Sequence, residues 1–177
     1  MIHEIDTMLA PSLSFVADHS SHASDVLALH ELAFGPGRFT RAAFKVREGV
    51  EHDRDLSFSA VEGGRLVGSV IQTRVTVGGH KGALLGPLAV LPDHEGRGIG
   101  RKLVYLAIEA AEAAGLDFVL LVGDAPYYRP LGFDPVGFGT VLFPAPVDPH
   151  RVLACCFGNL SARELGGTVK ASIKAGR

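Results

Sequence analysis

The sequence predicts a mixed α/β fold, α+β in stricter schemes, with a mostly antiparallel sheet, a parallel βαβ unit at its centre and flanking helices. Three observations predict it. Two β-rich runs, 56–61 and 66–77, flank Glu62-Gly63-Gly64-Arg65, where paired glycines supply the positive φ of a tight hairpin turn. A second such turn, Gly78-Gly79-His80-Lys81-Gly82, leads into 83–90, whose almost continuous apolar character reads as a central strand buried on both faces. A strongly amphipathic helix and a short, wholly apolar strand at 118–122 then complete a βαβ unit, whose right-handed crossover leaves its two strands parallel.

The remaining elements follow from local pattern. Residues 13–17 alternate weakly and read as an edge strand closed by the loop Asp18-His19-Ser20-Ser21. Val26, Leu27, Leu29, His30, Leu32, Ala33 and Phe34 recur near helical spacing, with Ser24 or Asp25 placed to cap and Gly35-Pro36-Gly37 to stop the helix. A second helix is expected within 40–50. Proline cannot donate to a ladder, so Pro87 must sit at a bulge or where its strand parts from a neighbour. Ile99, Leu103, Ala107, Ala110 and Ala114 form the apolar face of the central helix, ended by Gly115. Further strands are expected near 139–143 and 151–157, with the tail after Ala162 partly strand at 167–172 and otherwise frayed.

A chain of 177 residues fits one domain, here 1–177 with a core of about 13–157. Seventeen basic against nineteen acidic side chains give a formal charge of −2, which provides no field to recruit nucleic acid or an anionic membrane. A small-molecule or peptide partner is the better expectation. Cys155 and Cys156 are adjacent in an expected strand and point to opposite faces, so they form no disulfide framework. Together with the absence of a signal-peptide pattern and of an apolar run of about 20 residues, this favours the cytoplasm.

The chemistry concentrates where a buried strand meets the central helix. In Glu95-Gly96-Arg97-Gly98-Ile99-Gly100, alternate glycines let backbone N–H groups converge without side chains in the way, and the helix start adds free donors and about half a positive charge. Arg97, Arg101 and Lys102 supply further positive charge, so the segment reads as a diphosphate cradle. A dinucleotide fingerprint fails because Arg101 stands where its third glycine belongs, and a Walker loop fails for want of Gly-Lys-Ser/Thr.

The stretch 88–100, Leu-Ala-Val-Leu-Pro-Asp-His-Glu-Gly-Arg-Gly-Ile-Gly, instead resembles the acetyl-CoA signature of the GNAT superfamily of N-acetyltransferases, Gln/Arg-x-x-Gly-x-Gly/Ala preceded by a strand and Val-x-Pro. Gly98 and Gly100 match the family glycines, Val90 and Pro92 match the strand exit, and Glu95 departs from the usual Gln or Arg. A carboxylate there could also cap the helix. A second segment, Gly123-Asp124-Ala125-Pro126-Tyr127-Tyr128-Arg129-Pro130-Leu131-Gly132-Phe133, looks like the family's Tyr-x-x-x-Gly-Phe motif and is nearest a YhbS-like bacterial branch.

The resemblance implies a sheet splayed between 83–90 and 118–122, with pantetheine in the slot. It would pair with the backbone of Leu88, Ala89 and Val90, an N–H there would face the thioester carbonyl, and residues 95–101 would hold the diphosphate. It also implies Tyr128 as the general acid that protonates the departing thiolate; the bland alternative is a packed aromatic whose hydroxyl is merely hydrogen-bonded. Tyr127 is the neighbouring candidate, Asp124 would cap the short helix, and no metal is implied. No glutamate stands on 83–90 to serve as base; the leftover candidates Glu31, Glu62, His80 and His94 each read better as solvated surface or loop residues, a water relay to backbone carbonyls is equally admissible, and the base is left unassigned. Two functions follow, an acetyl-CoA-dependent N-acetyltransferase acting on an amine and a non-catalytic acyl-CoA sensor. The apolar strand 152–157 is a candidate edge for a homodimer.

Overall fold

The computed structural model describes residues 12–37 and 41–173. Its sheet runs in the order β1 (Leu13–Ala17), β2 (Phe58–Glu62), β3 (Arg65–Val77), β4 (His80–Val90), β5 (Phe118–Val122), β8 (Val152–Cys156), β6 (Asp134–Pro135). Neighbours are antiparallel except β4 and β5, which pair in parallel over Gly82–Leu84 with Phe118–Leu120. A separate parallel pair joins β7 (Val141–Leu142) to β9 (Gly167–Thr168), and β10 (Lys170–Ala171) lies antiparallel on the far half of β3. The described part of the tail, 163–173, is woven in: Leu165 is fully buried, and a Cβ at Gly78 would collide with the carbonyl oxygen of Gly166, while 174–177 lie outside the described residues.

Four helices accompany the described strands: α1 (Ala23–Phe34), α2 (Ala42–Arg47), α3 (Ile99–Ala113) and α4 (Ala125–Tyr128). Neither Ser24 nor Asp25 caps α1, whose N-cap is His22, while Gly35 closes its other end at φ 60°. The second helix is shorter than 40–50 because Glu48 is already its C-cap and Gly49 turns left-handed at φ 78°; Thr40 lies outside the described residues. α3 ends in a Schellman pair, Gly115 N–H to Glu112 O at 2.9 Å and Leu116 N–H to Ala111 O at 3.1 Å. Its buried face is Ile99, Leu103, Val104, Ala107 and Ala111; Ala110 is only half-buried and Ala114 exposed, because the stripe drifts around a helix of 3.6 residues per turn.

Both faces of the sheet are covered. Val119 and Leu121 of β5 join one apolar cluster with Leu103 and Ala107 of α3, whereas the alternate residues Phe118 and Leu120 join a second with Val136, Leu165 and Val169. On β3, Gln72 turns toward α3 and donates from Nε2 to the carbonyls of Ala107 (2.8 Å) and Leu56 (2.7 Å), while adjacent Thr73 lines a cavity on the opposite face with Val26 and His30 of α1. Cys155 and Cys156 are both free. The first cluster takes in Cys155, the second Cys156. β8 is no open edge over its first half, since Asp134 and Pro135 of β6 pair with Ala154 and Leu153, part of the backbone that made 152–157 a candidate edge. Proline-bearing β6, only two residues long, has no sequence signature of its own.

Candidate active site

The site begins at a defect in β4. Gln72 faces Leu85 and Val70 faces Leu88, so Gly86 and Pro87 together oppose the single residue Ile71, a bulge of two against one. Gly86 has φ 121°, which a side chain would resist, and the Gly86-Pro87 bond is cis. Parallel pairing to β5 stops at Leu84, and β5 continues to Val122 paired only with β8. Among the described residues, 85–90 has no strand partner on its β5 side. This is the parting that Pro87 signals in the sequence.

At the far end of β4 the chain turns through Pro92–His94 and reaches the cradle. Gly96 (φ 73°) and Gly98 (φ 79°) adopt left-handed conformations. The first bond of α3 runs from Lys102 N–H to Gly98 O at 3.0 Å, and among the described residues no backbone bond engages the amides of 96–101. Gly100 is closely packed: a Cβ there would lie 2.9 Å from the Tyr127 hydroxyl and 3.7 Å from Val90 Cγ2. Tyr127, Leu88, Val90 and Gly100 thus meet at the start of α3. Ile99 is buried with its side chain against Gly68, so only its backbone faces the cradle.

Two expectations for this loop change. Glu95 is exposed and does not cap α3, whose N-cap is Gly98 without a side-chain bond; its own amide is turned toward Pro92 O at 3.4 Å. Arg97 does not stand free at the cradle but grips Glu62 of the β2–β3 turn at 2.6 and 3.1 Å. His94 completes the anchor, with Nε2 2.8 Å from Glu62 and Nδ1 2.6 Å from Asp93. Hydrogen bonds from Arg97 and then His94 hold the Glu62 carboxyl down to about 2, despite partial burial that opposes them. Glu62 and His94 are therefore structural pegs for the loop, and neither is free to serve as the base. His80 sits at the opposite end of β4 beside Asp117, and Glu31 is exposed on α1.

The second motif folds as a short turn of helix with Pro126 in its first turn. Asp124 caps nothing with its side chain and instead lies 3.2 Å from Arg151. Tyr128 packs edge-on to Tyr127 (centroids 4.8 Å apart) and to Phe133 (5.7 Å). The two tyrosines diverge: Tyr127 points to α3, whereas Tyr128 lines the cavity on the α1 face with Gly86, Pro87 and Leu88. Burial first, then the neighbouring Tyr127 and Asp124, push the Tyr128 phenol up to about 12. The Tyr127 phenol is raised too, by burial.

That cavity, of about 870 Å³, spans the strand parting, α1, α2 and the segment near Pro146–Arg151. It contains groups that the sequence did not single out, among them Arg47, Thr73 and a cluster in which buried Asp18 receives His52 Nε2 at 2.8 Å and Arg54 Nη1 at 3.0 Å. These residues come from the end of β1, α2, a 3-10 turn and β3, and no short-range spacing joins them. Among the described residues no group of three or more His, Cys, Asp or Glu could hold a metal ion, and no helix is long and apolar enough to cross a membrane.

A bulged central strand that parts from its parallel neighbour, followed by a glycine-lined helix start, defines an acyltransferase architecture, and comparison bears this out. Residues 23–133 match the acetyltransferase (GNAT) family, and the chain belongs to that family. It is 31% identical over 153 residues to the uncharacterized N-acetyltransferase YjhQ of Escherichia coli K12, covering 84% of each chain. The structure is similar to that of the Escherichia coli GNAT protein YhbS in complex with CoA, with TM-score 0.71 and 20% identity over 96% of this chain and 94% of that one. A Brucella melitensis GNAT acetyltransferase in complex with acetyl-CoA superposes with TM-score 0.67 at 24% identity, covering 90% and 95%. At these identities the solved structures establish the shared fold.

Proposed function

We propose that this chain transfers an acetyl group from acetyl-CoA to a primary amine by direct attack, with both substrates bound at once. The observation that carries this reading is the unpartnered edge of β4 at 85–90 leading to six backbone amides, 96–101, that no described group engages. Such a cradle fits a diphosphate, because converging N–H groups and a helix start both favour negative charge. Acetyl-CoA would bring the acetyl group as an activated thioester. The backbone of Leu88, Ala89 and Val90 would pair with the pantetheine amides as a strand is added to a sheet, and a free N–H there would steady charge growing on the carbonyl oxygen. Gly96, Gly98 and Gly100 would admit the diphosphate closely, with Arg101 beside it and the Tyr127 hydroxyl closing the α3 side.

The acceptor would enter from the cavity on the α1 face, where Tyr128 waits at the strand parting. A phenol raised to about 12 remains protonated at working pH. It is a weaker acid than a thiol of pKa about 8.5, so complete transfer of its proton to the leaving sulfur is uphill. Its part is best described as a hydrogen bond donated to the sulfur as the carbon–sulfur bond breaks. Calorimetry tests the cradle: CoA should bind the native chain, and Gly98→Val, forced into a left-handed backbone that costs about 1–3 kcal/mol, should bind it roughly tenfold or more weakly. Native protein that takes up no CoA would overturn the proposal.

A further inference from the structure

The cavity on the α1 face carries more arginines than aspartates. Arg41, Arg47, Arg54 and Arg151 line it, against three aspartates that are each already engaged. Asp18 holds His52 and Arg54, Asp124 meets Arg151, and Asp148 accepts from the His150 N–H at 2.9 Å to cap a turn. Arg41 lies over the Phe34 ring at 5.2 Å.

Arg47 stands apart. Its Nε donates to the Ala43 carbonyl one turn back in α2 at 3.1 Å, but its buried Nη1 has no hydrogen-bond partner among the described residues. Burial draws its pKa down to about 10, the mark of a guanidinium taken from water without a counter-charge. Thr73, on the sheet floor of the same cavity, is fully buried, and its Oγ1 likewise lacks a partner. Burying such donors unpaired is costly, and both kinds are satisfied by one class of ligand, an oxyanion, which the planar guanidinium fork fits well.

We infer that the acceptor amine carries a carboxylate or a phosphate, and that Arg47 and Thr73 receive this group while the amine faces the strand parting. The inference rests on the acetyl-transfer reading above and narrows its substrate class. It also accounts for an acceptor cavity in which no aspartate is left to attract a polyamine.

The test is acetyl-CoA consumption by the full chain with amines arranged in pairs: amino acids against their carboxamides, and amino-sugar phosphates against the free amino sugars, with spermidine as a polycation. Turnover should favour the anionic member of at least one series by tenfold or more in kcat/KM, and which series responds distinguishes carboxylate from phosphate. Arg47→Met should raise KM for that acceptor at least tenfold with the KM for acetyl-CoA unchanged, and Arg47→Lys should recover part of it. Thr73→Val, which replaces the hydroxyl with a methyl, gives a second reading if the arginine variant melts early: it should raise the same KM severalfold without lowering the melting temperature. Equal or better use of carboxamides, free amino sugars or spermidine would overturn the inference and leave acetyl transfer standing. Failure of every amine with CoA still bound would overturn both.

Discussion

Tyr128 illustrates how a residue's surroundings alter the role its identity suggests. An ordinary phenol lies within about two units of a thiol, but burial, then the neighbouring Tyr127 and Asp124, hold the Tyr128 proton more firmly. Tyr128→Phe should lower kcat by about 100-fold while CoA affinity measured by calorimetry stays the same. The pH–rate profile should rise as the acceptor amine deprotonates and show no falling limb from Tyr128 below about pH 12, the value to which its phenol is raised. At Glu62 the shift runs the other way. Its folded-state pKa of about 2 lies below the ordinary 4.5, so the unfolded chain binds more protons between those values and stability falls as pH drops through that window. Glu62→Gln should flatten this part of an acid-unfolding curve, and the native chain should lose CoA affinity over the same range as Arg97 and His94 release the loop.

Among the elements, those whose pattern is local were legible. β1 and β5 begin and end where alternation and continuous apolar character place them, and α3 starts at its glycine run because left-handed Gly98 permits nothing earlier. Capping was less legible, since His22, not Ser24 or Asp25, precedes α1 and no side chain caps α3. The glycine-lined start of α3 and the bulge at Pro87 could be read because glycine and proline restrict the backbone by themselves. The cavity on the α1 face could not, because Arg47, Thr73 and Asp18 come to line one space only when the sheet forms. One close packing in the parallel junction is testable. A Cβ on Gly82 would enter the Phe118 ring, so Gly82→Ala should cost about 1–3 kcal/mol in urea unfolding by overpacking the short β4–β5 ladder.

For the molecule as a whole, the C-terminal segment completes the cover on the sheet face opposite α3, beside Val46 of α2. Leu165 and Val169 complete the second apolar cluster, and β10 extends the sheet beyond the reach of β2. Ending the chain at Ala162 should therefore destabilise it by roughly 3–6 kcal/mol, the burial lost with the Leu165 and Val169 side chains, with an earlier urea midpoint as the readout.

The grip of Gln72 on the mid-helix carbonyl of Ala107 makes the protein a gauge. A slip of α3 by a single turn would displace its start by about 5.4 Å and break that bond, so the span from Gly98 to Tyr128 is preset by the scaffold. A coenzyme analogue lengthened by one methylene in its arm should still dock its phosphates yet present its reactive carbon beyond the phenol, and turn over slowly at undiminished affinity.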